Sequence, residues 1–241
     1  MWKSTLIASF LASFVEFVEA LTIVLAVWTV RGWKPAIAGT AAGTLLLVLV
    51  VLLFGPLLRL LPVDVLRLAI GLLLLLFGMR WLRKAILRSS GIVALHDESE
   101  AFTEETKLLA NTRGLTWHGI DVVGAGTTFN AVVLEGLEVV FIVIALGATG
   151  GTLIPASVGA LAAGILVVLL GLIVHKPLSK VPENSLKFVV GILISAYGVF
   201  WVGEGAGFDW WGGDLAIVGV VMVLFLSAVF TIPLARRIVA G

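Results

Sequence analysis

Apolar residues run through this chain in long blocks, with no period of two and only a weak period of 3.6. Seven blocks approach or exceed the roughly 20 residues that an α-helix needs to cross a hydrocarbon core. They predict spans at residues 6–30, 36–58, 65–86, 121–147, 153–175, 186–203 and 214–235. Breaks fall at Arg31–Pro35, Gly55–Pro62, Gly147–Pro155, Lys176–Pro182 and Gly203–Gly213, where Gly and Pro punctuate the pattern. The first block follows a single basic residue, Lys3, and could be mistaken for a secretory leader. Glu16 and Glu19 interrupt it and no small-residue cleavage site follows, so it reads as a retained helix.

Composition agrees with the pattern. Of 241 residues, 60% are hydrophobic and 13% charged, with mean hydropathy +1.16. So few charges could not cover the surface of a water-soluble domain. The expected fold class is therefore an all-α integral membrane protein. Its surroundings are the lipid bilayer, and nothing in the composition calls for nucleic acid.

Charge placement orients the spans. With alternate crossings, one side receives Lys3, Arg59 and Arg67 of the sixteen Lys and Arg residues. All the others fall on the opposite side. This asymmetry predicts an outside N-terminus and a cytoplasmic C-terminus, as in a prokaryotic cell membrane.

The chain also aligns with itself at an offset of 119 to 120 residues. Glu16 falls on Glu135, Glu19 on Glu138, Ser9 on Thr128 and Ala12 on Ala131. Farther on, Pro35 falls on Pro155, Gly39 on Gly159, Pro62 on Pro182, Gly71 on Gly191, Gly78 on Gly198 and Trp81 on Trp201. Generic apolar similarity would not match Glu, Pro, Gly and Trp in one register. Each copy holds three spans, an odd number, and the polar stretch between them cannot cross. The second copy must then enter from the opposite side, as in the inverted repeats of transporters. The expected domains are a first three-helix repeat at 1–86, a cytoplasmic linker at 87–120, a second repeat at 121–204, and a seventh helix with the C-terminus at 205–241.

The candidate chemistry lies in the repeated acids. Glu16 and Glu19 share one helix face, as do Glu135 and Glu138. A carboxylate near mid-membrane costs about 2.5–3.5 kcal/mol on insertion scales, and no span carries an interior cation to offset it. Interhelical hydrogen bonds worth about 1–2 kcal/mol would not offset four such groups. Converging carboxylates form a hard-oxygen site suited to Fe, Mn, Ca or Mg ions. The chain has no Cys, and no Met or His lies at these positions, which disfavours copper. Crowded acids repel one another, so protons should leave as a cation enters. Ser9, Ser13, Thr128 and Asn130 are candidate accessory ligands. Glu204, Asp209 and Asp214 are candidate entrance acids near Trp210 and Trp211, a pair that reads as an interface anchor.

The linker carries His96, Asp97, Glu100, Glu104 and Glu105 and reads as a solvated, partly helical loop. Arg80, Arg83, Lys84 and Arg88 mark the inner interface. Gly39 with Gly43, Gly159 with Ala163, and the Gly71/Gly78 and Gly191/Gly198 pairs read as close helix packing. His175 stands alone at a helix end and reads as structural. No span holds the His-Glu-x-x-His of a metalloprotease or a Ser with a His partner, so no enzymatic activity and no resident cofactor are expected.

The segment Leu134-Glu-Gly-Leu-Glu138, followed by an apolar run, resembles the Arg-Glu-Gly-Leu-Glu signature of the iron permeases, a family that includes fungal high-affinity and bacterial Efe-type ferrous permeases. The signature Arg is Val15 in the first copy and Leu134 in the second, and Phe17 stands at the Gly position. The resemblance implies two three-helix repeats plus a seventh helix. It also implies iron binding at Glu16, Glu19, Glu135 and Glu138, with an oxidase or periplasmic metal-binding protein as candidate supplier. The architecture is also similar to manganese and calcium exchangers of the lysine exporter superfamily. These leave a manganese or calcium cation–proton exchanger as the alternative to an iron transporter, with a non-transporting membrane subunit as a further one.

Overall fold

The structure is a computed structural model that describes residues 2–58, 62–94, 97–147, 152–174 and 183–240. Arg59, His96, His175, Lys176, Lys180 and Pro182 lie outside the described residues. Helices dominate: α1 (Trp2–Arg31), α2 (Trp33–Leu58), α3 (Val63–Ser89), α4 (Glu98–Asn111), α5 (Val122–Gly147), α6 (Leu153–Val174), α7 (Glu183–Gly205) and α8 (Ala216–Ala240). A two-residue hairpin, β1 (Thr116–Trp117) with β2 (Ile120–Asp121), precedes α5. Seven of the helices, all but α4, are long and apolar enough to cross a membrane.

The breaks follow local chemistry. α1 ends at Gly32, whose φ of +90° is left-handed and whose N–H donates to the Trp28 carbonyl at 3.0 Å. A glycine is the least strained residue for that helix stop. α2 starts immediately afterwards and takes Pro35 in its first turn, where no intrahelical N–H partner is needed.

The described helices pack as two units that cut across the sequence repeats. Residues 1–56 and 97–181 form one, built from α1, α2, α4, α5 and α6. Residues 57–96 and 182–241 form the other, built from α3, α7 and α8. Each repeat thus gives its first two helices to one unit and its third to the other.

Both units use small residues to bring backbones together. In the first, a side chain at Gly39 of α2 would strike Ala125, Thr128 and Phe129 of α5. A side chain at Gly159 of α6 would strike Leu6, Ser9 and Phe10 of α1. Shifting the first set by 119 to 120 residues gives the second. In the other unit Gly71 meets Trp201 and Val202, while Gly191 meets Trp81 and Leu82. Gly78 rests on Ser195, and Gly198 rests on Leu75. The α3–α7 contacts run antiparallel and are again reciprocal at the repeat offset.

The linker is more ordered than a solvated loop. Asp97 caps α4 by accepting from the Ser99 N–H at 2.7 Å. The helix then buries Leu109 against Ala26, Val27 and Ala36, with Phe102 beside them. Arg31 fastens this arrangement: its guanidinium donates to the carbonyls of Leu109 and Thr112 and pairs with Asp121 at 3.2 Å. Charge-assisted bonds of this kind contribute about 1.5–3 kcal/mol. Arg31→Ala should therefore release the 97–121 segment. We expect at least roughly tenfold faster limited proteolysis there, with no change in cutting elsewhere. Unchanged cutting would mean that the apolar contacts of α4 hold it alone.

Candidate metal centre

The site lies within the first unit, on α1 and α5. α1 places Val15, Val18 and Ala12 in the core, and the same helix buries Glu16 completely. The midpoint of α1 falls between Glu16 and Phe17, and that of α5 between Leu134 and Glu135. The two helices run antiparallel: Gly124, early in α5, lies against Val27 and Arg31, late in α1. Antiparallel packing brings the two midpoints, and hence the acids, to one level.

Carboxylate oxygens of Glu16, Glu19 and Glu135 all lie within 4.8 Å of one another. Oxygen ligands on opposite sides of a Ca²⁺ ion stand about 4.6–5.2 Å apart, from bond lengths of 2.3–2.6 Å, and those around smaller hard cations about 4.2 Å apart. One ion could therefore touch all three residues. Two ionised carboxylates at 4.8 Å repel by roughly 3.5 kcal/mol at an effective dielectric constant of 20. Protons or a cation among the oxygens would relieve that repulsion. Arg31, at the end of α1, stands roughly 22 Å along the helix from Glu16, too far for effective compensation.

Glu138, the fourth predicted ligand, is buried one turn beyond Glu135 and stands outside the three-residue cluster. Of the predicted accessory groups, Ser13 is fully buried one turn before Glu16, and its hydroxyl has no hydrogen-bond partner among the described residues. Ser9 and Thr128 are also fully buried, but they serve the small-residue crossings. Ser9 Oγ donates to the Ala156 carbonyl at 2.7 Å, and Thr128 Oγ1 donates to the Gly124 carbonyl at 3.1 Å. Asn130 lies on an exposed face of α5, about 140° around the helix from Glu135.

The predicted entrance acids belong to the other unit. Glu204 pairs with Arg67 at 3.4 Å, and Asp64 approaches the same guanidinium at 3.9 Å. Asp209 joins them around an open cleft of about 440 Å³. Asp214 is exposed in a single 3₁₀ turn, Gly213–Leu215, before α8. The Trp pair divides its roles. Trp211 is exposed, whereas Trp210 stacks on Phe200 and donates its indole N–H to the Phe200 carbonyl at 2.9 Å.

Among the buried polar residues that had no part in the sequence-based site are Ser195 and Lys187. Ser195 is fully buried against Gly78. Lys187 is buried with its ammonium 5.4 Å from the centre of the Trp81 ring. Its one signal in the sequence was its place in the repeat, where it falls on Arg67. No protein-family model, curated protein or solved structure matches the chain.

Proposed function

We propose that this chain is an integral membrane transporter of a hard metal cation, with Glu16, Glu19 and Glu135 forming its central site. The convergence of three carboxylates at the midpoints of two apolar helices carries this reading. An all-oxygen, negatively charged donor set favours hard divalent cations over copper, and iron is the preferred cargo. Manganese or calcium exchange is the second reading, because the oxygen spacing accommodates a Ca²⁺-sized ion equally well. Glu138 lies one turn along the same helix, where it would pass the ion onward.

The reciprocal contacts at Gly39 and Gly159, and at Gly71 and Gly191, support two inverted three-helix repeats followed by a seventh helix. The Lys and Arg asymmetry supports an outside N-terminus and a cytoplasmic C-terminus. Alternating access would then move helices around the fixed acids. An oxidase or periplasmic metal-binding protein is a candidate supplier.

Two measurements test the proposal. Purified protein should be thermally stabilised by its cargo among Fe²⁺, Mn²⁺, Ca²⁺, Mg²⁺ and Zn²⁺. A variant with all four Glu residues changed to Gln should lose the response. Stabilisation should also weaken as pH falls, because protons compete for the same oxygens. Proteoliposomes containing the protein should take up that ion, and equal uptake by the four-Gln variant would refute the site.

A further inference from the structure

The unit built from α3, α7 and α8 is electrically polarised. Its acids with described side chains, Asp64, Glu204, Asp209 and Asp214, lie at one end, at the start of α3, the end of α7 and the approach to α8. Apart from Arg67, which pairs with Glu204, the described cations gather at the other end, where Glu183 also begins α7. Arg83, Lys84 and Arg88 come from the last two turns of α3, and Lys187 comes from the first turns of α7. Arg236 and Arg237 close α8.

These six cations lie on three helix ends that meet at one residue, Ser89. Asn184 Nδ2 on α7 donates to Ser89 Oγ at 3.1 Å. Arg236 on α8 donates to the Ser89 carbonyl from Nε at 3.1 Å and from Nη2 at 2.6 Å. Leu82, Ile192 and Ala228 pack the three helices together just inside this junction. Burial of Lys187 against Trp81 keeps one positive charge within the corner. Orientation by charge requires cations only on the correct side of a membrane. It does not require the helix ends that carry them to meet at one junction.

The surface beside the corner is apolar. Val229, Phe230 and Leu234 of α8 are exposed immediately before Arg236. A concentrated positive corner next to an apolar flank is complementary to an amphiphile with an anionic head. We propose that this corner binds the headgroup phosphate of an anionic phospholipid, whose acyl chains lie along α8. Anionic lipid bound there would bridge the ends of α3, α7 and α8.

The test uses the full chain, delipidated in neutral detergent, with its thermal midpoint followed as ligand is added. Phosphatidylglycerol should raise the midpoint by several degrees, whereas phosphatidylcholine and soluble glycerol phosphate should not. The variant Arg83→Gln/Lys84→Gln/Arg236→Gln/Arg237→Gln should lose the response. Because Arg236 also ties α8 to Ser89, Arg83→Gln/Lys84→Gln provides a second variant with that tie intact, and it should show roughly half the shift. Equal shifts with both lipids, or a full phosphatidylglycerol response in both variants, would overturn the proposal. A matching shift with glycerol phosphate would replace the lipid site by a free-phosphate site and overturn it equally. Metal-dependent stabilisation, measured in parallel, should be the same in all three proteins.

Discussion

Glu16→Gln should abolish metal-dependent stabilisation and uptake while leaving a folded protein. Glu16 is the fully buried member of the cluster, and Gln keeps its shape while removing its charge. Perturbing groups that merely orient metal ligands costs about 10–100-fold in affinity, so losing a charged ligand should cost at least 100-fold. Glu19→Gln and Glu135→Gln should follow closely. Glu138→Gln should retain binding within about tenfold, because its carboxyl stands outside the three-residue cluster, yet it should slow transport if the group passes ions or protons onward. Titration of each purified variant with the stabilising metal checks this order. Equal losses at Glu135 and Glu138 would show that the ion sits between them and would shift the site along α5.

That order could not be read from the sequence, and the reason is geometric. Glu135 and Glu138 are three residues apart and share one face, so the repeat ranked them equally. The antiparallel crossing of α1 on α5 chooses between them, and a one-turn difference in depth suffices. The repeat likewise identified equivalent residues without saying which copy each would touch. Gly39 and Gly159 were legible as packing glycines, but their partners on α5 and α1 were not. The same gap hid the two packing units. The repeat named no partner for α3, which packs against α7, its counterpart in the second copy.

The elements themselves were far more legible. Each of the seven predicted spans lies within a helix or differs from it by a few residues at its ends, because uninterrupted apolar runs and Gly or Pro breaks act locally. α4 carried a readable signal that its acids obscured. Asp97 supplied the cap, and Phe102 and Leu109 supplied one apolar face. Its charge suggested exposure, which is correct for Glu100 and Glu104 but not for the opposite face. Asn130, counted as one turn before Glu135, stood as a candidate ligand; rotation by 100° per residue carries it about 140° around the helix, to an exposed face.

The second large effect concerns the glycines, and it predicts opposite signs for one substitution. A methyl group at Gly78 would lie 2.5 Å from the Ser195 backbone nitrogen and 2.9 Å from its Cα, both within backbone that cannot swing aside. A methyl at Gly198 would meet the backbone of Leu75 in the same way, at 2.5 and 2.8 Å. Gly78→Ala and Gly198→Ala must therefore push α3 and α7 apart, and overpacking of this kind costs about 1–3 kcal/mol. Gly126 on α5 is the control, because a methyl there meets nothing within 4 Å. Removing a helical glycine at an open position stabilises by up to about 1 kcal/mol. Gly126→Ala should thus raise the unfolding midpoint in detergent, while the other two lower it. Equal small shifts in all three variants would mean that α3 and α7 do not depend on backbone contact at these glycines. Loss only at Gly78 and Gly198 would identify that contact as what holds the α3–α7 pair, since water supplies no force between helices in an apolar solvent and close packing must replace it.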